Sequence, residues 1–277
     1  MRLIDFDEKF SQHLSAWLEE NEEAYANADR LEEEVPQVYA DFLDTPAPWL
    51  EGEKPGEYFE QFTQPEELVE WLEEYLRGNV HVPDMLLNRI ADLGLASQDA
   101  LYHLLLDTDA PMEARMLAVS LLREIQSEKP MDLYVRWQVT GEEPLELSDN
   151  AVESLEEMGE AAVPAMLEAL DDASGSGKEA LLSVLSRYPG NERVTEELMD
   201  LFADNPGRRA ILAAYLGRTQ DARALPLLME AALDDGTPYL DFIEIRNAIE
   251  ELGGDPPERE FTEEDSAYAA LFGMEDR

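Results

Sequence analysis

Few residues in this chain are of types that do chemistry, and their spacing decides what each could do. The run Ser174-Gly-Ser-Gly-Lys-Glu179 looks like part of a phosphate loop. The full pattern needs glycine where Asp172 stands, serine or threonine where Glu179 stands, and a strand before it. Here a helical pattern precedes the run and Asp171-Asp172 would repel phosphate, so it reads as a flexible turn between helices. His13, His81 and His103 are too few and too scattered to build a metal site and read as structural or exposed. Asp107-Thr-Asp109 is followed by Ala110-Pro111, without the glycine that a calcium loop requires. Glu156-Glu157 and Glu263-Glu264-Asp265 read as solvated faces. There is no cysteine, which excludes disulfides, zinc–thiolate sites, iron–sulfur clusters and thiol nucleophiles. No catalytic residue, metal site or cofactor is therefore expected.

The charge is the most pronounced feature of the composition. The chain carries 64 acidic and 20 basic residues, a formal net charge of −44. By segment the excess is −18 over 1–84, −13 over 85–190, −7 over 191–254 and −6 over 255–277, so it is spread and not confined to a tail. A field of this sign repels phosphate backbones and anionic lipid surfaces, because binding either requires a positive stripe. Direct nucleic-acid binding and membrane binding are not expected. Acidity can serve solubility alone; it also suits a basic partner, or a surface that imitates nucleic acid. The N-terminus lacks a continuous apolar segment and no stretch of about 18 uncharged apolar residues occurs, which predicts a cytoplasmic protein.

The elements that would position any site repeat along the chain. Ala162-Val-Pro-Ala-Met-Leu-Glu-Ala-Leu-Asp-Asp172 returns with small changes as Ala224-Leu-Pro-Leu-Leu-Met-Glu-Ala-Ala-Leu-Asp-Asp235. Pro164, Thr195 and Pro226 are spaced by 31 and 31; Val163, Val194 and Leu225 align, as do Leu167, Leu198 and Met229. A fixed period of this size marks units that must stack to bury their apolar faces. Val163, Met166, Leu167 and Leu170 have helical spacing, and Leu181, Val184, Leu185 and Tyr188 repeat it after a break at Gly175-Ser176-Gly177. Each unit is thus two antiparallel helices, with Pro164 or Pro226 in a first turn and Gly159, Gly190, Gly217 and Gly253 just past helix ends. Five pairs are predicted, at 97–125, 129–158, 160–188, 191–217 and 220–253.

With AVPAMLEAL, the matched Glu113-Ala-Arg115 and Glu244-Ile-Arg246, and Leu-Gly at 216–217 and 252–253, the chain resembles the HEAT-like repeat proteins over roughly 95–255. The short bacterial form, also found in phycobilisome lyases, is the one it is most similar to. The resemblance implies an all-α, right-handed α-solenoid whose second helices line a concave contact surface. It also implies what is missing: there is no His-Glu dipeptide of the kind the HEAT-like iron hydroxylases use, and no basic groove as in HEAT-like DNA glycosylases.

Residues 1–84 do not follow the period, and 1–94 is expected to form a separate N-terminal part before the array at 95–254. Positions 1–84 hold 12 of the 23 aromatics, among them Trp17, Tyr25, Trp49 and Trp71, which predicts a helical, aromatic-rich N-terminal cap or subdomain. A long helix is expected near 7–34 and a short one at 36–43, with further helices near 57–62, 65–77 and 83–94. Trp49 sits in the Pro- and Gly-containing loop 45–57, either pinning it or serving as an exposed docking anchor. The segment 255–277 reads as an extended tail with a short apolar turn, Ala267–Met274, able to fold back as a C-terminal cap or to dock on another copy.

Aligning the second helices puts Arg115, Glu179 and Arg246 in one slot and Ser183 and Glu250 in the next, with Lys178, Arg208, Arg209, Glu113 and Glu244 near their heads. For the arginines an internal ladder capping neighbouring turns is as good a reading as binding. The leading expectation is a non-enzymatic adaptor that holds a protein with a basic or mixed-charge face. A lyase-type enzyme or enzyme subunit and an acidic nucleic-acid mimic are the alternatives, and the oligomeric state is left open.

Overall fold

The computed structural model describes residues 3–21 and 28–272. Among them are fifteen α-helices and no strand, as the all-helical expectation requires. No described helix is long and apolar enough to cross a membrane. The chain divides into two compact units, Met1–Pro130 and Met131–Arg277.

The first unit holds α1 (Phe6–Glu20), α2 (Ala28–Asp44), α3 (Pro65–Arg77), α4 (Asp84–Asp92), α5 (Gln98–Leu106) and α6 (Met112–Glu124). The single long helix expected over 7–34 is not formed. Asn21 ends α1, its backbone and side-chain N–H groups both donating to the Trp17 carbonyl. Residues 22–27, with Tyr25, lie outside the described residues. The boundary expected before Pro36 is also absent: α2 runs through that proline, which is exposed, so its missing N–H is lost on the solvent side. Phe6, Phe42, Trp49, Tyr58, Phe59, Phe62, Trp71 and Tyr75 form one chain of ring contacts with centroids 5.0–6.3 Å apart. The division expected at 94/95 falls inside this unit, because α3 packs on both α5 and α6, and α4 on α6.

The second unit holds four helix pairs: α7 (Met131–Thr140) with α8 (Leu145–Met158), α9 (Val163–Ala169) with α10 (Gly175–Leu185), α11 (Glu192–Asp204) with α12 (Arg209–Arg218), and α13 (Leu225–Leu233) with α14 (Tyr239–Glu251). Each pair packs on the next: α7 on α9 and α10, α10 on α11, and α12 on α14. In α11 the Asn191 side chain caps the Arg193 and Val194 N–H groups, and Val194, Leu198 and Phe202 present one buried face. The aligned positions do not share burial. Val194 and Leu198 are buried, but in the flanking pairs it is Met166 and Leu228, one residue earlier than Leu167 and Met229, that are fully buried. The physical reason is local: α9 and α13 are entered through 3₁₀ turns, Gly159–Ala162 and Ala222–Ala224, whose tighter winding rotates the face, whereas Asn191 starts α11 directly.

Two glycines have roles other than those their spacing suggests. Gly175–Gly177 is not a break, because α10 begins at Gly175. A Cβ on Gly177 would overlap the Gln138 carbonyl oxygen, so this glycine lets α10 lie directly on the α7 backbone. Gly217 is buried within α12 rather than beyond its end, and a Cβ there would stand 3.2 Å from Ala248 Cα of α14.

Basic side chains bridge from pair to pair. Arg187 reaches Glu156 (3.0 Å), Lys178 reaches Glu197 (2.5 Å), and Arg193 reaches Asp171 (2.6 Å) and the Leu167 carbonyl (3.1 Å). Arg223 binds Asp221 (2.7 Å) and extends to Glu196 (3.0 Å) and Glu192 (3.5 Å). The tail folds back on the last pair through α15 (Ser266–Phe272). One carboxylate, Asp265, accepts from Tyr239 N (2.8 Å) at the head of α14 and from Ala267 and Tyr268 N (3.0 Å each) at the head of α15. Gly273 and Met274 lie outside the described residues.

Gly177→Ala should lower stability by about 3 kcal/mol through overpacking, whereas Gly207→Ala, whose Cβ meets nothing within 4 Å, should change it by less than about 0.5 kcal/mol; urea unfolding of both variants measures this. The Arg223 guanidinium holds the Asp221 carboxyl at a pKa of about 2. This lowered value contributes stability above the ordinary carboxylate range near pH 4, and the contribution is lost as pH falls toward 2. Asp221→Asn should therefore flatten that part of the acid limb, by under about 1 kcal/mol because the pair is partly solvated, read as the urea midpoint against pH.

Candidate functional site

The second helices α8, α10 and α12 bring polar side chains of three successive pairs to one open groove of about 650 Å³. Asp149 and Glu153 come from α8, Glu179 and Ser183 from α10, and Tyr215 from α12, with Arg208 just before α12. Arg208 forms a two-pronged ion pair with Glu179, whose Oε2 accepts from Nε at 3.1 Å and whose Oε1 accepts from Nη2. Ser183 donates to the Ala180 carbonyl at 2.7 Å, and it lines the groove together with Tyr215. Burial, then the Glu179 carboxylate, raise the Tyr215 pKa, so the phenol stays neutral and able to donate at physiological pH. The Arg218 guanidinium stands 5.5 Å from the Tyr215 ring. The lining carries three carboxylates, Asp149, Glu153 and Glu179, and one guanidinium, Arg208, so the groove is anionic in sum. Tyr215 is the aromatic side chain of its lining.

Of the residues expected from sequence, Glu179, Ser183 and Arg208 meet in this groove. Lys178 is turned to Glu197 on α11 instead. Arg209 lies near Asp234 (3.7 Å) and 5.7 Å from the Phe202 ring. Arg246 and Glu250 pair with each other along α14 at 3.1 Å, and Glu244 is half-buried on the same helix. Glu113 and Arg115 belong to the first unit, Glu113 exposed in the first turn of α6. Arg115 is not on a contact surface. It is buried, and its Nε donates to the Leu105 carbonyl (3.1 Å) in the last turn of α5, the capping role of an internal ladder. The shared slot with Glu179 and Arg246 failed here because the open carbonyls at the end of α5 pull the guanidinium inward. Trp49 is 38% exposed, with its ring against Phe6 and Phe42.

Asp149, Glu153 and Tyr215 were missed. A signal for the first two was present, since they stand 30 positions before Glu179 and Ser183. Among the described residues no group of three or more His, Asp or Glu side chains is arranged to hold a metal ion.

Because Arg115 caps α5, Arg115→Leu should cost about 2 kcal/mol by leaving a buried carbonyl unpaired. Thermal and urea unfolding of the purified variant would register it.

The chain matches no family model, no curated protein and no solved structure.

Proposed function

We propose that this protein is a non-enzymatic adaptor that holds a basic segment of a protein partner in the groove lined by α8, α10 and α12. The observation that carries this reading is the convergence of Asp149, Glu153 and Glu179 on one open groove beside Tyr215. Lysine or arginine side chains of a partner would be attracted by the excess of carboxylate charge in this groove. The cations of the second unit support the same reading, because Lys178, Arg187, Arg193 and Arg223 are engaged with carboxylates of the chain itself.

Within this reading the four pairs of the second unit are HEAT-like repeats of a right-handed α-solenoid. The 31-residue period and the packing of each pair on the next support it. The aromatic segment before α5 serves as a cap for the pair α5–α6, supported by the packing of α3 and α4 against that pair.

The test is affinity capture on the full-length protein, comparing wild type with an Asp149→Lys/Glu153→Lys variant and a Glu113→Lys control. Partners retained by wild type should weaken at least tenfold with the double variant and be unchanged with Glu113→Lys. Their retention should fall as salt rises. Equal retention by wild type and the double variant would remove the groove from consideration.

A further inference from the structure

The segment after the last helix pair is held to it at three points, and none of its residues is buried. Arg259 donates to the Asp234 and Asp235 carbonyls (2.8 and 2.6 Å), just past the end of α13. Phe261 sets its ring against Tyr239 (5.0 Å) and Phe242 (5.2 Å) of α14, and Asp265 accepts from the Tyr239 N–H at 2.8 Å. From Asp255 to Phe272 every side chain keeps part of its surface in solvent, and Leu271 and Phe272 are exposed. A segment with so few buried apolar contacts opens at little cost. The face beneath it is different. Phe242 is only 3% exposed, packed against Phe261 and 5.9 Å from the Arg259 guanidinium, and Tyr239 carries the Phe261, Tyr268 and Phe272 rings. Lifting the tail would leave an aromatic face uncovered at the end of the last pair.

The chemistry this face recognises is repeated earlier in the chain. The matched turns Asp171-Asp172 and Asp234-Asp235 each follow the first helix of a pair. At the earlier turn, Arg193 donates to the Leu167 carbonyl (3.1 Å) and the Asp171 carboxylate (2.6 Å) from 26 and 22 positions on. At the later turn Arg259 reaches the closing carbonyls from 25 and 24 positions on. Open carbonyls at a helix end draw an arginine in both places. Arg193 arrives on α11, whose own face is buried, whereas Arg259 arrives on a surface-lying tail that another segment can replace.

We infer that the face formed by the close of α13 and the head of α14 is a docking site for a protein segment carrying an arginine, an aromatic residue two positions on and a carboxylate four further, and that the chain's own tail occupies it until such a partner displaces it.

The test uses the full-length protein and a fluorescent peptide of residues 255–272, read by anisotropy. A short tether holds the tail at an effective concentration of roughly 1 mM, so a face mostly covered by it binds the same segment in trans with a Kd below that. Arg259→Ala/Phe261→Ala loosens the tail and leaves the face intact. This variant should bind the peptide saturably and about tenfold or more tighter than wild type, whose own tail competes. Asp265→Ala should shift affinity in the same direction, and it carries the test if the double variant loses helical circular dichroism. A peptide with Arg259→Ala and Phe261→Ala should bind none of the three proteins. Absence of saturable binding to the variants below roughly 1 mM, equal affinity for wild type and variants, or undiminished binding of the substituted peptide would each overturn the assignment. These outcomes are independent of the groove lined by α8, α10 and α12.

Discussion

A pair of short helices leaves an apolar face that it cannot cover by itself, and the second unit is organised by how closely the next pair can approach to cover it. At Gly177 the α10 backbone lies where any side chain would displace the α7 chain, and at Gly217 the contact is with the α14 backbone. Close approach of this kind lets Leu181, Leu182, Leu212, Leu216, Ile245 and Ile249 become fully buried or nearly so although their helices are only about three turns long. Helices of that length are marginal alone and draw their stability from packing.

Charge is arranged around this apolar stacking. With 20 basic residues against 64 acidic ones, a cation spent within the fold is one not shown to solvent. Arg187, Arg193 and Arg223 each reach back to carboxylates or carbonyls of the preceding pair, a span of 22–31 residues. Exposed pairs of this type add little individually. Their larger effect is on the remaining surface, which is left to carboxylates. The groove lined by α8, α10 and α12 concentrates that excess where an aromatic side chain is also available, and the tail uses carboxylate chemistry differently, with Asp265 serving two helix heads at once.

The aromatic residues of the first unit divide between core and pocket wall. Phe59 and Tyr75 are almost completely covered, while Trp49 keeps more than a third of its surface exposed. Asp5, Glu8 and Lys9 line the same pocket as Trp49, Tyr58 and Trp71.

Helical spacing made the helix pairs legible, since Val163 to Leu170 and Leu181 to Tyr188 could bury one face only as helices, and the bounds of α3 follow from Pro65 and Gly78. Composition fixed the acidic character and the absence of thiol chemistry. The sequence could not place Arg115, because its inward turn depends on carbonyls at the end of another helix, ten residues away. Nor could it distinguish Gly177 as a packing contact from a flexible turn, since the Gln138 carbonyl that requires it lies 39 positions upstream. Asp149, Glu153 and Tyr215 come together only when the helices set them around one groove. Periodicity is local and survives in one dimension; which polar group is satisfied, and which face is covered, depends on atoms that only folding brings together.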